Sequence, residues 1–120
     1  MATYKSILCV DFDGVINSYS SGWQGADVIS DPPVKGAVEF LLEAINYFRV
    51  MVFSSRSCQL GGIKAMQEYL ELYSKGLSSL VEWPTEKPSA FVTIDDRVIC
   101  FDGTWPTMQF LKEFKPWNKR

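Results

Sequence analysis

The chain has 120 residues, of which 47% are hydrophobic and 22% charged, an ordinary composition for one globular domain spanning residues 1–120. Its net charge of −2 argues against a general nucleic-acid coat, although it leaves a local basic patch open. The sequence contains no histidine, which excludes histidine-based nucleophilic triads and histidine-bound zinc.

Apolar runs and cysteines indicate the cellular location of the protein. No apolar run approaches membrane-spanning length, and the N-terminus lacks the basic and apolar blocks of a signal peptide. Three cysteines at no metal-ligand spacing are expected to be buried, reduced thiols. We therefore expect a cytoplasmic protein without a membrane partner.

The first half of the chain alternates a strand pattern with a helix pattern. Ser6–Asp11 is a continuous apolar run typical of a buried strand, and a polar loop follows from Gly14 to Asp31. Asp31 can cap a helix, and Pro32 and Pro33 suit a first turn, so a helix is predicted to begin there. Its apolar face consists of residues at helical spacing: Val34, Ala37, Val38, Leu41, Leu42, Ile45 and Phe48.

The second half repeats the alternation with shorter elements. Val50–Phe53 predicts a strand, and Gln59–Tyr73 predicts a helix with Gly76 as its stop. The remaining predicted elements are strands at Ser79–Trp83, Ala90–Ile94 and Val98–Phe101 and a short helix opened by Pro106. Strands alternating with helices favour a parallel sheet covered on both faces, so the expected fold is α/β, a doubly wound, three-layer Rossmann-like domain.

Polar residues follow the predicted strands. Asp11 and Asp13 follow the first strand, and alternate residues of an extended chain share a face, so both carboxylates point to one region. The other polar residues at strand ends, or in the loop before the strand Ala90–Ile94, are Ser54, Ser55, Arg56, Lys87, Asp95 and Asp96. Ligands of doubly wound sheets bind outside the carboxyl ends of the strands, so these residues are expected to meet at one edge.

This set of side chains predicts a metal and phosphate site. Four carboxylates at one edge repel one another, and a divalent cation removes that repulsion. Oxygen ligands without histidine or cysteine select a hard ion such as Mg²⁺. Serines, a lysine and an arginine beside a metal ion are typical of phosphoryl binding.

Three stretches resemble the motifs of the haloacid dehalogenase superfamily. DFDGV (11–15) is similar to its first motif, VFSSR (52–56) to its second, and EKPSAFVTIDDR (86–97) to its lysine motif followed by its acidic pair. The motifs occur in the family's order and cover nearly the whole chain. The last stretch resembles short bacterial and phage members and, more loosely, polynucleotide phosphatase domains.

The resemblance implies a role for each matching residue. Asp11 would form an aspartyl-phosphate, and Asp13 would act as the acid and the base. Mg²⁺ would be held by Asp11, the backbone carbonyl of Asp13, Asp95 and Asp96. Which of Asp95 and Asp96 binds the ion directly is left open. The phosphate-binding residues would be Ser54, or Ser55 in its place, with Lys87 and Arg56.

The function implied is a Mg²⁺-dependent phosphomonoester hydrolase. Its phosphorylated substrate is either a small molecule or a phosphate-ended macromolecule; nucleic acid is an option that the net charge does not indicate. The oligomeric state is left open.

Two alternatives belong to other classes of protein. A phosphorylated receiver module is also doubly wound and uses acids, a hydroxyl, a lysine and Mg²⁺. In a receiver module, however, the adjacent acidic pair follows the first strand, whereas here the adjacent pair, Asp95 and Asp96, follows the last of these strands. The second alternative is a non-catalytic phosphate-binding module, although both Asp11 and Asp13 are present.

No cap domain is expected over the site. Gly14 to Asp31 has room for a flap only, and Ser54 to Lys87 is needed to build the sheet. The site should therefore be open, with the loop containing Trp23 as its lid, and should accept a phosphate at the end of a large partner better than a small metabolite.

Overall fold

Three short parallel strands form one sheet in the computed structural model, which describes residues 4–120. The strands are β1 (Ile7–Val10), β2 (Arg49–Val52) and β3 (Val92–Ile94), in the order β2-β1-β3. Residues of the central strand pair on both sides; Cys9, for example, pairs with Met51 of β2 and Thr93 of β3. The protein is thus an α/β domain with a small open parallel sheet.

Two amphipathic helices share one hydrophobic core with this sheet. Helix α1 spans Ala37–Ala44 between β1 and β2, and helix α2 spans Gly62–Tyr73 after β2. The core contains alternate residues of β1 and β2 together with buried residues of both helices: Leu8, Val10, Val50, Val52, Leu41, Ala44, Met66, Tyr69 and Leu70. Since residues two apart in a strand share a face, the two helices cover the same side of the sheet.

The opposite face of the sheet carries the buried side chains of Cys9 and Met51. The connection from Glu82 to β3 passes this face without a regular helix. The predicted strand Ser79–Trp83 is reduced to one bridge between Met51 and Glu82, and Leu77–Ser79 form a 3₁₀ turn instead. The doubly wound, three-layer arrangement is therefore not confirmed.

Helix α1 starts later than the sequence predicts because the segment before it is used elsewhere. The Asp31 carboxylate accepts hydrogen bonds from the backbone N and the Oγ of Ser21, so it does not cap a helix. Pro33 is bridged to Asn17, and the backbone N of Val34 donates to the carbonyl of Ile16 at 2.8 Å. This pairing keeps the chain out of a helix as far as Val34, and a turn at Lys35 and Gly36, whose φ is 86°, leads into α1.

The C-terminal part differs most from the prediction. Val98–Phe101 form no strand, so β3 is an edge of the sheet. A short helix, α3, spans Met108–Lys112 and is capped by Thr107, whose Oγ1 accepts a hydrogen bond from the backbone N of Phe110. Helix α3 buries none of its residues.

Two of the three cysteines also differ from expectation. All three are free, but only Cys9 is buried, and Cys58 and Cys100 are exposed because they lie in loops outside the core. Within residues 4–120, no helix has both the length and the apolar character needed to cross a membrane.

Gly62, the first residue of α2, packs directly on the loop that follows β2. A Cβ atom at this position would lie 1.9 Å from the backbone carbonyl oxygen of Arg56, which can move away only if the loop shifts. We expect Gly62→Ala to lower the free energy of unfolding by roughly 3 kcal/mol in chemical denaturation, the upper end of the overpacking range, although alanine is the better helix former.

Gly36→Ala is the matched control. A Cβ at Gly36 would meet nothing within 4 Å, so only its left-handed backbone is strained, at about 1 kcal/mol. A Gly62→Ala protein as stable as the Gly36→Ala protein would contradict the close approach.

Candidate active site

The three strands end at the same edge of the sheet. Strand pairing continues one residue beyond them, since the backbone N of Asp11 donates to the Ile94 carbonyl at 2.9 Å and that of Phe53 donates to the Val10 carbonyl at 3.2 Å. The polar residues at these strand ends are Asp11, Ser54 and Asp95, one from each strand. The parallel register therefore brings two carboxylates and a hydroxyl to one edge.

A polar cavity of about 140 Å³ lies at this edge. It is lined by Cys9, Asp11, Phe53, Ser54, Ser55, Lys87, Thr93 and Asp95, so it gathers five of the eight residues that the sequence singles out. Its volume is below the range of about 300–1,000 Å³ typical of pockets that enclose a whole ligand. It has room for a group of the size of a phosphoryl group but not for a larger ligand.

Asp11, Asp95 and Asp96 form an acidic triad beside the cavity. One carboxylate oxygen from each lies within 4.8 Å of the others. Burial and then the charge of Asp95 raise the pKa of Asp11 to about 8, and burial raises the pKa of Asp96 as well. An all-oxygen donor set this compact fits a hard divalent cation, which would relieve the same repulsion that otherwise retains a proton.

Gly14 is fitted closely against this triad. Its φ of 81° lies in the left-handed region, and a Cβ there would lie 2.2 Å from Oδ2 of Asp96. A side chain at Gly14 would therefore displace the Asp96 carboxylate. The glycine of the DFDGV stretch thus serves both the turn and the packing of the acidic triad.

The loop after β2 forms a tight turn around Ser54. Ser54 is 3% exposed, and its Oγ accepts a hydrogen bond from the backbone N of Arg56 at 3.1 Å. The backbone N of Ser54 donates to Oγ of Ser57 at 3.0 Å. Ser55 is exposed at the cavity wall, and Lys87 reaches the same cavity from the loop before β3.

Arg56 lies beside the cavity rather than in its wall, paired with Asp13. Its Nε and Nη2 donate to the two carboxylate oxygens of Asp13 at 2.9 and 3.1 Å, and Asn17 Nδ2 donates to the same carboxylate at 3.0 Å. The Arg56 side chain is 1% exposed. Asp13, two residues after Asp11, is therefore turned toward Arg56 and lies outside the cavity lining.

The same guanidinium also fixes the flap. Nη1 of Arg56 donates to the carbonyls of Gly25, Ala26 and Val28, at 2.8, 2.9 and 3.1 Å. The ring of Trp23 lies 4.8 Å from the guanidinium carbon, which agrees with a packing role for this aromatic residue. The sequence pattern did not reveal that Asn17 bonds to Asp13 or that Arg56 binds the flap, because both contacts depend on loops that meet only in the folded chain.

Comparisons with known proteins add no relative. No family model matches this chain, and neither the search of curated proteins nor that of solved structures finds a match. The resemblance in the motifs therefore stays a prediction.

The raised pKa of Asp11 predicts how the stability of the metal-free protein varies with pH. The folded state keeps a proton on Asp11 up to about pH 8, whereas the unfolded chain releases it around the ordinary value of 3.8. The contribution of Asp11 to the free energy of unfolding is therefore largest at low pH and falls as the pH rises through this window. Since a bound cation replaces the proton, Mg²⁺ should raise the melting temperature more at pH 8 than at about pH 5.

Thermal unfolding with Mg²⁺ or with a chelator measures this effect. The Asp11→Asn variant cannot titrate at this position, so its Mg²⁺ effect should be smaller and should depend less on pH, the raised pKa of Asp96 being the remaining cause. An equal Mg²⁺ effect at both pH values in the original protein would contradict the metal site.

Two bidentate arginine pairs that differ in burial allow a matched test of Arg56. Arg49 donates to both carboxylate oxygens of Glu82 at 3.0 and 2.8 Å, but both side chains are about half exposed. We expect Arg56→Lys to lower the free energy of unfolding by about 3 kcal/mol or more, since it leaves Asp13 and three carbonyls without their planar partner. Arg49→Lys should cost less than about 1 kcal/mol. Similar losses in chemical denaturation would show that Arg56 does not organise the loops.

Proposed function

We propose that this protein is a Mg²⁺-dependent phosphomonoester hydrolase that acts through an aspartyl-phosphate on Asp11. One observation carries the proposal: Asp11 belongs to the acidic triad and opens on the same small cavity as Ser54, Ser55 and Lys87. A carboxylate nucleophile, a cation site and anion-binding groups are thereby within reach of one phosphoryl group. The order of the motifs, which resembles that of the haloacid dehalogenase superfamily, agrees with it.

The reaction has two steps. A carboxylate oxygen of Asp11 bonds to phosphorus, the bond from phosphorus to the leaving oxygen breaks, and Asp13 gives that oxygen a proton. Water then attacks the phosphorus of the aspartyl-phosphate, Asp13 takes a proton from it, and the bond between Asp11 and phosphorus breaks. Ser54, Ser55 and Lys87 would bind the phosphoryl oxygens during both steps.

The cation would be held by Asp11, Asp95, Asp96 and the backbone carbonyl of Asp13. When bound, it supplies positive charge that stabilises the charge developing on the phosphoryl oxygens. Asp96 keeps its place in this set because Gly14 leaves room for its carboxylate.

Asp13 must move for its part in the reaction. Its carboxylate is paired with Arg56 and Asn17, so the side chain has to leave both partners, take up a proton from solvent and rotate toward the leaving oxygen before it can act as the acid. Arg56 is therefore assigned to position Asp13 and the flap, in place of the phosphate contact that the sequence suggests.

The fold and location belong to the same proposal. We treat the domain as a reduced doubly wound α/β fold in which the segment 83–91 takes the place of a helix over the second face. We assign it to the cytoplasm because its cysteines are free thiols.

Hydrolysis of an activated aryl phosphate in the presence of Mg²⁺ tests the proposal. We expect Asp11→Asn to reduce steady-state turnover by about 10³-fold or more, because the amide is nearly isosteric with the carboxylate but a poor nucleophile. Asp102→Asn is the matched control, since Asp102 is exposed and lies outside the acidic triad. Full turnover in a verified Asp11→Asn protein, or in excess chelator, would rule the mechanism out.

The same assay separates the alternatives. A receiver-like module would take up one phosphoryl group per chain without continued phosphate release, and a phosphate-binding module would release none. Many turnovers per chain support the hydrolase alone.

A further inference from the structure

The C-terminal segment has a charge opposite to that of the rest of the chain. Residues 112–120 contain four of the twelve Lys and Arg residues but one of the fourteen Asp and Glu residues. The segment carries a net charge of +3, and the other 111 residues carry −5. The net charge of −2 therefore conceals a basic region.

This segment and Phe110 line a cleft of about 550 Å³, which we call the C-terminal cleft. Its lining residues are Phe110, Glu113, Phe114, Lys115 and Arg120. Nε of Arg120 donates to the carbonyl of Lys115 at 3.2 Å, which holds the two cationic residues together. The one acid, Glu113, is bonded to Gln109. The cleft thus combines two aromatic rings with two cationic side chains, and its volume is within the range of ligand pockets.

The C-terminal cleft is tied to the proposed active site. Nε1 of Trp117 donates to the carbonyl of Gly14 at 2.7 Å, and Nδ2 of Asn118 donates to the carbonyl of Ser18 at 3.3 Å. Gly14 is the residue that packs against the Asp96 carboxylate. Phe114 is three residues from Trp117, so the backbones of these two residues are at most about 11 Å apart.

We propose that the C-terminal cleft binds the strand of a single-stranded nucleic acid whose terminal phosphate occupies the site at Asp11. The inference rests on the proposed function and names its substrate class. Aromatic rings receive bases by stacking whatever their sequence, and lysine and arginine contact the phosphates of the strand. The cavity at Asp11 holds only a phosphoryl group, so the cleft supplies binding that the cavity lacks.

A nucleic acid fits this surface better than a phosphopeptide does. A peptide strand offers neither regularly spaced phosphates for Lys115 and Arg120 nor flat bases for Phe110 and Phe114. The acidic remainder of the protein repels a polyanion elsewhere, so binding should be confined to the cleft.

Fluorescence anisotropy with a labelled, terminally phosphorylated oligonucleotide tests the inference. The measurement is made in chelator, because the proposed hydrolysis needs Mg²⁺ and binding is then observed without it. We expect the double variant Lys115→Ala/Arg120→Ala to weaken binding about tenfold or more and to reduce the slope of log K against log salt by about 1.4, the value for two lost phosphate contacts on a single strand. Phe114→Leu, which removes one stacking ring, should weaken binding by about tenfold.

The matched control is Lys64→Ala/Lys75→Ala, which makes the same change in net charge outside the cleft. Its binding should be unchanged; equal weakening in both double variants would overturn the inference, as would oligonucleotide binding no tighter than that of a mononucleotide. Tighter binding of a phosphopeptide of equal charge would also overturn it. Because binding is measured without turnover, these outcomes are separate from a failure to hydrolyse aryl phosphate, which would count against the proposed function.

Discussion

The buried guanidinium of Arg56 is the contact on which the arrangement of the site loops depends. A charge that is 1% exposed is tolerable only when every donor has a partner, and here Asp13 and the carbonyls of three flap residues supply those partners. One side chain thereby joins the loop after β1, the flap and the loop after β2. Gly62 completes the arrangement, because it lets α2 begin directly against the Arg56 backbone.

A second constraint is the repulsion within the acidic triad. Parallel pairing of β1 with β3 places Asp11 beside Asp95, and the glycine at position 14 leaves room for the carboxylate of Asp96. Charges this close need a proton or a cation. The raised pKa of Asp11 and the proposed Mg²⁺ site are therefore two responses to the same electrostatic problem.

The small sheet leaves apolar side chains exposed at its β3 edge. The edge strand β3 keeps Val92 and Ile94 partly exposed, and the chain beyond it leaves Phe101, Trp105 and Phe110 largely exposed. The cavity at Asp11 has room for little more than a group of phosphoryl size, so any larger ligand needs further binding from outside its walls. In our proposals the C-terminal cleft, tied to Gly14 by Trp117, supplies that binding.

The sequence by itself determined the strands at β1 and β2, the helix that ends at Tyr73, and the residues that meet at the strand ends. These features follow from the spacing of apolar residues along the sequence and from the parallel order of the strands, and both can be recognised in the sequence pattern. It did not determine the start of α1, because Asp31 is bonded to Ser21 and the segment after it pairs with residues near Asn17. Nor did it reveal that Arg56 pairs with Asp13, or that residues 112–120 return to Gly14. Such contacts join residues far apart in the chain, and only the tertiary structure decided them, because burial, rather than spacing, determines which partner a polar group must find.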